Sequence, residues 1–252
     1  MGMSPALPRT SFNSSKLVRA LSNLSRSHPV PSDLAVVDVA DAKQTLAERL
    51  SPWLAWTDAI ALSAVLEGSA AKPSDAKAGK PATAVAAAAA AAAVLELARV
   101  RADLTRSITA DPVFAADAVG SKRPSPGTQA GVPGEGPASF APYRHQYVTH
   151  QRAMEARIGL LRAKVRAALS GHSPNLRRLA ALDAVLEQAL SARERQLLST
   201  VPQRLEKHFE RSRQVQQEPD GKGMQGVLLA ELETRLQPVE GLIAALGNEA
   251  GP

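Results

Sequence analysis

Two long helical patterns joined by a four-residue break constrain this chain more than any other feature. From Tyr147 the apolar positions fall at Met154, Ile158, Leu161, Val165 and Ala168, alternating by four and three, with Gln151 the one polar residue in the series. That spacing draws a heptad-like seam down one side of a helix, and such a seam must be buried against another element. Gly171-His172-Ser173-Pro174 then supplies a helix end, a turn, an N-cap and a proline at the first helical position. So short a connection sends the next helix back along the first as an antiparallel αα-hairpin.

The returning segment carries Leu179, Leu182, Leu186, Leu190, Leu197, Val201, Leu205 and Phe209 toward one broad face. Unbroken from Asn175 to Arg213 it would be roughly 60 Å long. Pro202 is expected to kink it, or to restart it through a capping box between Thr200 and Gln203. After "EPDGKG" a last helix sets Leu229, Leu232, Leu236, Val239, Ile243 and Leu246 at spacings of three and four, with Pro238 and Gly241 favouring a kink. Its Glu231, Glu233 and Glu240 outnumber Arg235, so it is expected to pair by charge with the hairpin. Between Arg144 and Arg213 stand 14 Lys/Arg against 6 Asp/Glu, leaving 16 against 18 for the rest of a chain whose net charge is +6.

Upstream, "FNSSKLVRALSNL" places Leu17, Leu21 and Leu24 at helical spacing, and "VADAKQTLAERL" continues with Ala42, Leu46 and Leu50. Ser51-Pro52 reads as an N-cap and first helical proline, opening a helix that holds both tryptophans and closes at Gly68. Only Asp58 and Glu67 carry charge in it, and a helix apolar on most sides is expected to be buried. The tract "AVAAAAAAAAVLELARVRADLTRSI" is helical by propensity alone and reads as a spacer, with large apolar residues returning from Val94. "SAAKPSDAKAGKP" and "GSKRPSPGTQAGVPGEGP" are too poor in large apolar residues to offset the entropy of ordering them.

These signals predict an all-α fold, an elongated helical bundle with a long antiparallel αα-hairpin and two disordered linkers. Residues 1–10 form a flexible N-terminus, 11–67 a helical block with the Trp helix, and 68–83 a linker. Residues 84–118 form the alanine-rich helix, 119–139 a Gly/Pro linker, 140–247 the C-terminal helical block and 248–252 a tail. With 3% aromatic residues, the core is expected to rest on Trp53, Trp56, Met154, Ile158, Leu161, Leu186, Leu232 and Leu236.

Composition also closes several chemistries. Without cysteine there are no disulfides, zinc-thiolate sites or thiol nucleophiles, which fits a cytoplasmic protein. No secretory signal opens the chain, and its most apolar window, Leu50 to Leu66, is interrupted by Ser51, Pro52, Thr57 and Asp58, so no membrane insertion is expected. "GVPGEG" at Gly131, Gly134 and Gly136 follows no strand and is broken by proline, against dinucleotide binding. His145 and His150 are five apart and diverge on a helix, while Glu206, His208 and Glu210 point to different faces. No catalytic, cofactor-binding or metal-binding residue is therefore assigned, and neither a cofactor nor a small-molecule substrate is expected. What remains are surfaces. Arg152, Arg162, Arg166, Arg177 and Arg178, with His145, form a candidate basic face that could track a phosphate backbone, although no aromatic residues interleave with it. The seams can pack within one bundle or, in addition, support self-association.

The stretches "PRTSF" from Pro8, "AERLSPWLAWTDAIALS" from Ala47, "FAPYRHQYVTHQRAMEARIGLLRAKVRAAL" from Phe140, "LAALDAVLEQALSARERQLLSTVPQRLEKHFER" from Leu179 and "MQGVLLAELETRLQPVEGL" from Met224 together resemble a bacterial family, domain of unknown function 3348. The resemblance implies a helical bacterial protein and supplies no catalytic residues to carry over. It also implies neighbours among envelope or motor-like membrane components. The favoured reading is a non-enzymatic cytoplasmic scaffold or adapter that contacts protein partners or itself. Nucleic-acid association through the basic face, and partnership with an envelope complex, are the alternatives.

Overall fold

The computed structural model describes residues 16–26, 52, 54–67, 80–115, 139–215 and 220–250. The expected flexible N-terminus, the "VADAKQTLAERL" stretch, Trp53 and most of both linkers lie outside the described residues. Among those described, every regular element is helical: α1 (Lys16–Arg26), α2 (Trp56–Glu67), α3 (Lys80–Thr109), the single turn α4 (Pro112–Ala115), α5 (Ala141–Ser170), α6 (Pro174–Leu198), α7 (Val201–Gln214) and α8 (Gly221–Ala250). The alanine helix thus begins inside the stretch read as linker, and α8 runs on into the expected tail.

The last helix organises the others. Asp220 opens it, its Oδ1 accepting the Gly223 amide at 2.6 Å. A Cβ on Gly223 would stand 2.0 Å from Asp220 Oδ2, so only glycine leaves room for this cap. From there Met224, Val227, Leu228, Leu232, Leu236, Val239, Leu242 and Leu246 are all buried. That arc is wider than one amphipathic stripe, and it packs against α3, α5 and α1, with α4 and α6 touching its flanks. The helix continues through Pro238 without a break.

The alanine tract is α8's most extensive neighbour, which corrects its reading as a spacer. Ala86, Ala90, Leu97, Leu104 and Ile108 are buried, with Ala93 and Val100 packed beside them. They follow the same three-and-four spacing as the hairpin seam, hidden in the sequence because every position of the tract is alanine. Small side chains there let α3 approach α8 more closely than leucines would. The large residues Val94 and Leu95 face outward instead.

The hairpin forms at the predicted turn. Ser173 is extended at the N-cap, its Oγ accepting the Leu176 amide at 3.3 Å ahead of Pro174. The same hydroxyl donates to Glu249 Oε2 at 2.6 Å, tying the end of α8 to the turn. In α5, Tyr147, Met154, Ile158, Leu161 and Val165 are buried. The returning segment is less regular than its leucines suggest. It breaks at Ser199 and Thr200, and the Thr200 hydroxyl donates to the Leu197 carbonyl at 2.7 Å, so the expected capping box does not form. In α6 only Leu176 and Ala180 are fully buried; Leu186 is half-buried and Leu197 exposed, whereas Val201, Leu205 and Phe209 of α7 enter the core.

The Trp helix is not a core element. It starts at Trp56, where the Asp58 carboxylate accepts the Ala55 amide at 2.9 Å, and not at Pro52. It packs against α6, and no residue in it is fully buried. Trp56 is 80% exposed, which removes it from the core anchors. The reason is spatial: α1, α3 and α5 already surround α8, and α6 offers one side only, so a helix apolar all round can bury just one of its faces.

Two substitutions separate packing from spacing in the tract. Ala90→Leu should destabilise the protein by about 1–3 kcal/mol through overpacking, while Ala87→Leu, on the exposed side, should change stability by less than about 0.5 kcal/mol. Equilibrium denaturation of both variants reads the contrast directly.

Candidate functional site

Gln151, the polar residue in the α5 seam, marks the most polar place in the core. One turn earlier Tyr147 is buried, and both face Glu231 of α8, which is 0% exposed. The Tyr147 hydroxyl donates to Glu231 Oε2 at 3.0 Å, and Gln151 Nε2 donates to both carboxylate oxygens at 3.1 Å. Arg235, one turn along α8, donates through Nε to Oε1 at 3.0 Å. Gln151 also reaches the Leu198 carbonyl at 3.1 Å, and Arg235 reaches Glu194 at 3.4 Å, so one network joins α5, α6 and α8. A buried carboxylate is tolerated only when so thoroughly partnered. Burial pushes the Tyr147 phenol well above its usual value, and the charge and hydrogen bond of Glu231 push the same way against a lowering influence from Arg235.

A second buried pair lies on the adjacent face of α5. His150, 5% exposed, holds its Nε2 2.7 Å from Asp111 Oδ2, while Asp111 Oδ1 accepts the Val113 amide at 3.0 Å. Phe114 and Tyr143 close over this end of the bundle, with Phe140 and Phe209 beside them. A histidine oriented by a carboxylate is the base half of a catalytic arrangement, but here it is buried with the Phe114 ring 6.1 Å away. Among the described residues, no group of three or more metal-ligating side chains comes together. The depression along Ala98, Ala102, Thr105 and Thr109 is wide open and lined by one helix, the shape of a surface and not of a substrate pocket. The sequence pattern shows neither polar cluster: it reads Glu231 as one of three acids on the last helix that pair by charge with the hairpin, and His150 only as diverging from His145. The signal available was Gln151 interrupting an apolar seam.

The basic face is largely dismantled by its own neighbours. Arg162 grips Asp183 with two hydrogen bonds of 2.9 and 2.6 Å, and Arg166 bridges Asp183 and Glu187, pairs made within the hairpin. Arg178 donates to the Leu66 carbonyl at 2.8 Å, closing the C-terminal end of α2. Of its members Arg152, Arg177 and His145 are exposed, Arg177 touching the His172 carbonyl at 3.4 Å. Two of the acids of α8 pair elsewhere than with the arm: Glu233 and Glu240 with Arg101 of α3, and Glu233 also with Lys16 of α1. Met154, Ile158, Leu161, Leu232 and Leu236 are buried; Leu186 and Trp56 are not.

What α2 leaves open is an apolar surface. Ala61, Leu62 and Val65 turn toward α6, while Trp56, Ile60 and Leu66 are exposed. No helix among the described residues is long and apolar enough to cross a membrane.

A family model matches residues 3–223 and 220–248, which take in both the Trp helix and the network around Glu231. The chain belongs to the family described as Protein of unknown function (DUF3348). Membership in DUF3348 extends over nearly the whole chain, so the bundle, the polar network and the exposed α2 face all fall within the family's span. No curated protein and no solved structure matches it.

The raised Tyr147 value fixes the sign of a pH effect. The unfolded phenol loses its proton near pH 10, while the folded one holds it to higher pH, so stability is full below pH 10 and falls as pH rises beyond it. Alkaline denaturation followed by tyrosinate absorbance should show this dependence, and Tyr147→Phe should flatten it. A second variant, Gln151→Leu, should cost about 1–3 kcal/mol in chemical denaturation by withdrawing a donor from a buried carboxylate.

Proposed function

We propose that this DUF3348 protein is a non-enzymatic helical adapter, and that the outer face of α2 is where a protein partner docks. The observation that carries this reading is Trp56, 80% exposed on a helix with no buried residue. Exposed tryptophan flanked by Ile60 and Leu66 is costly in water and is the side-chain type that most often anchors an interface. Asp58 and Glu67 border the patch, and Arg178 holds the end of its helix, so the face is presented on a positioned element. The absence of cysteine suits a reducing cytoplasm. An envelope complex with an apolar cytoplasmic surface is one partner of this class.

A nucleic-acid role has a narrower basis than the sequence implied. Arg162 and Arg166 are engaged in ion pairs, whereas Arg204, Lys207 and Arg211 lie exposed along one side of α7 and form no ion pair among the described residues. That reading requires DNA or RNA binding that weakens with added salt and with charge reversal on α7.

The adapter reading is tested on Trp56. Trp56→Asp should alter stability by less than about 0.5 kcal/mol, yet abolish co-purification of a partner from native cells, with Arg152→Ala as a control that retains it. Retention of the partner by Trp56→Asp, or a loss of about 3 kcal/mol or more on Trp56→Ala as for a buried side chain, overturns it.

A further inference from the structure

The outward side of the alanine helix carries a second seam. Ala84, Ala88, Ala91, Leu95, Ala98 and Ala102 are spaced by four and three, and all are exposed. They stand opposite the inner seam that packs on α8, so α3 has coiled-coil spacing on both sides. From Pro81 to Leu95 the helix carries no charge.

This surface is not small residues alone, nor one helix alone. Lys164 pairs with Glu96 at 3.2 Å and Arg157 with Asp103 at 3.9 Å, so α3 and α5 run antiparallel and residue 160 stands level with residues 99 and 100. Leu160 projects there 67% exposed, and Leu95 of α3 is 71% exposed, more than any other described large hydrophobic residue except Trp56. Ala156, Ala163 and Ala167 extend the α5 side of the same surface, all exposed. Glu96 and Asp103 at the junction already pair with Lys164, Arg157 and Arg106, and exposed Arg99 must keep its guanidinium at the solvated rim when the face is covered.

We propose that a second copy of this chain docks on the α3/α5 outer face, α3 against α3 in antiparallel orientation about a two-fold axis. The distribution of bulk favours a copy of itself. The first half of the outer seam is alanine only, and its one large residue, Leu95, comes in the second half. An antiparallel pair centred at residue 93 sets Leu95 on Ala91 of the second copy, Ala88 on Ala98 and Ala84 on Ala102, each knob meeting a small residue. A two-fold axis satisfies both halves at once. The area is sufficient: the seam is about 27 Å long, and with the α5 edge it covers roughly 500 Å² per copy, about 1,000 Å² in total, the lower bound for a specific interface. An interface at that lower bound is expected to be a reversible one, separate from the α2 face.

Sedimentation equilibrium of the full chain over a wide concentration range tests this. Wild type should reach a dimer, and Leu95→Glu and Leu160→Glu should each weaken association at least tenfold with unchanged helical circular dichroism. Trp56→Glu, on the other surface, should dimerise as wild type does. A wild type that stays monomeric into the hundreds of micromolar, a dimer indifferent to both substitutions, one abolished by Trp56→Glu, or assembly beyond a dimer overturns the proposal. Because both leucines are exposed in the monomer, the two variants on different helices check each other against misfolding.

Discussion

A helix with apolar side chains around most of its circumference needs neighbours on most sides, and α8 imposes that need on the whole bundle. Its buried arc from Met224 to Leu246 is met by α3, α5 and α1, and the remaining helices take the positions left over. Hydrophobic burial sets the number of neighbours but not their register. Glu231 constrains register, because its buried carboxylate takes hydrogen bonds from Tyr147 and Gln151 of α5 in addition to Arg235 of its own helix. A shift of α5 by one turn along α8 would take away the Tyr147 and Gln151 donors and leave the buried carboxylate to Arg235 of its own helix. The network therefore acts here as a single polar position does in a coiled coil, selecting one alignment among several of similar apolar content.

Alanine has two roles on α3. Toward α8 it allows close approach of two long helices, and the residues that do this, Ala86 and Ala90, are chemically identical to those facing water. Larger residues would have declared which side is inner. In the tract the distinction is made by position alone, through the alignment that Leu97, Leu104 and Ile108 impose from the other end of the same helix.

The surfaces follow from the same priority. Because the best sites around α8 are occupied, α2 lies on α6 and keeps Trp56 in solvent, and α6 itself has only two fully buried residues. The arginines that look like a basic face are drawn into the hairpin by Asp183 and Glu187, carboxylates that stand one helix away and about 20 residues later in the chain. Ion pairs thus convert an electrostatic surface into an internal brace. They leave apolar faces on α2 and on the α3/α5 pair as the chemically distinctive exterior.

The sequence by itself determined what is local. Periodicity fixed the helices of the C-terminal block, Ser173-Pro174 fixed the hairpin turn, and the alternation from Tyr147 to Val165 identified the buried side of α5, because a helix repeats every 3.6 residues whatever surrounds it. Tertiary structure decided everything that depends on which helix lies opposite which. It placed Trp56 outside, Ala86 and Ala90 inside, Arg162 and Arg166 in ion pairs, and Glu231 at the centre of the core. None of these follows from periodicity, since an apolar face records that burial is favourable without recording whether a neighbour is there to provide it.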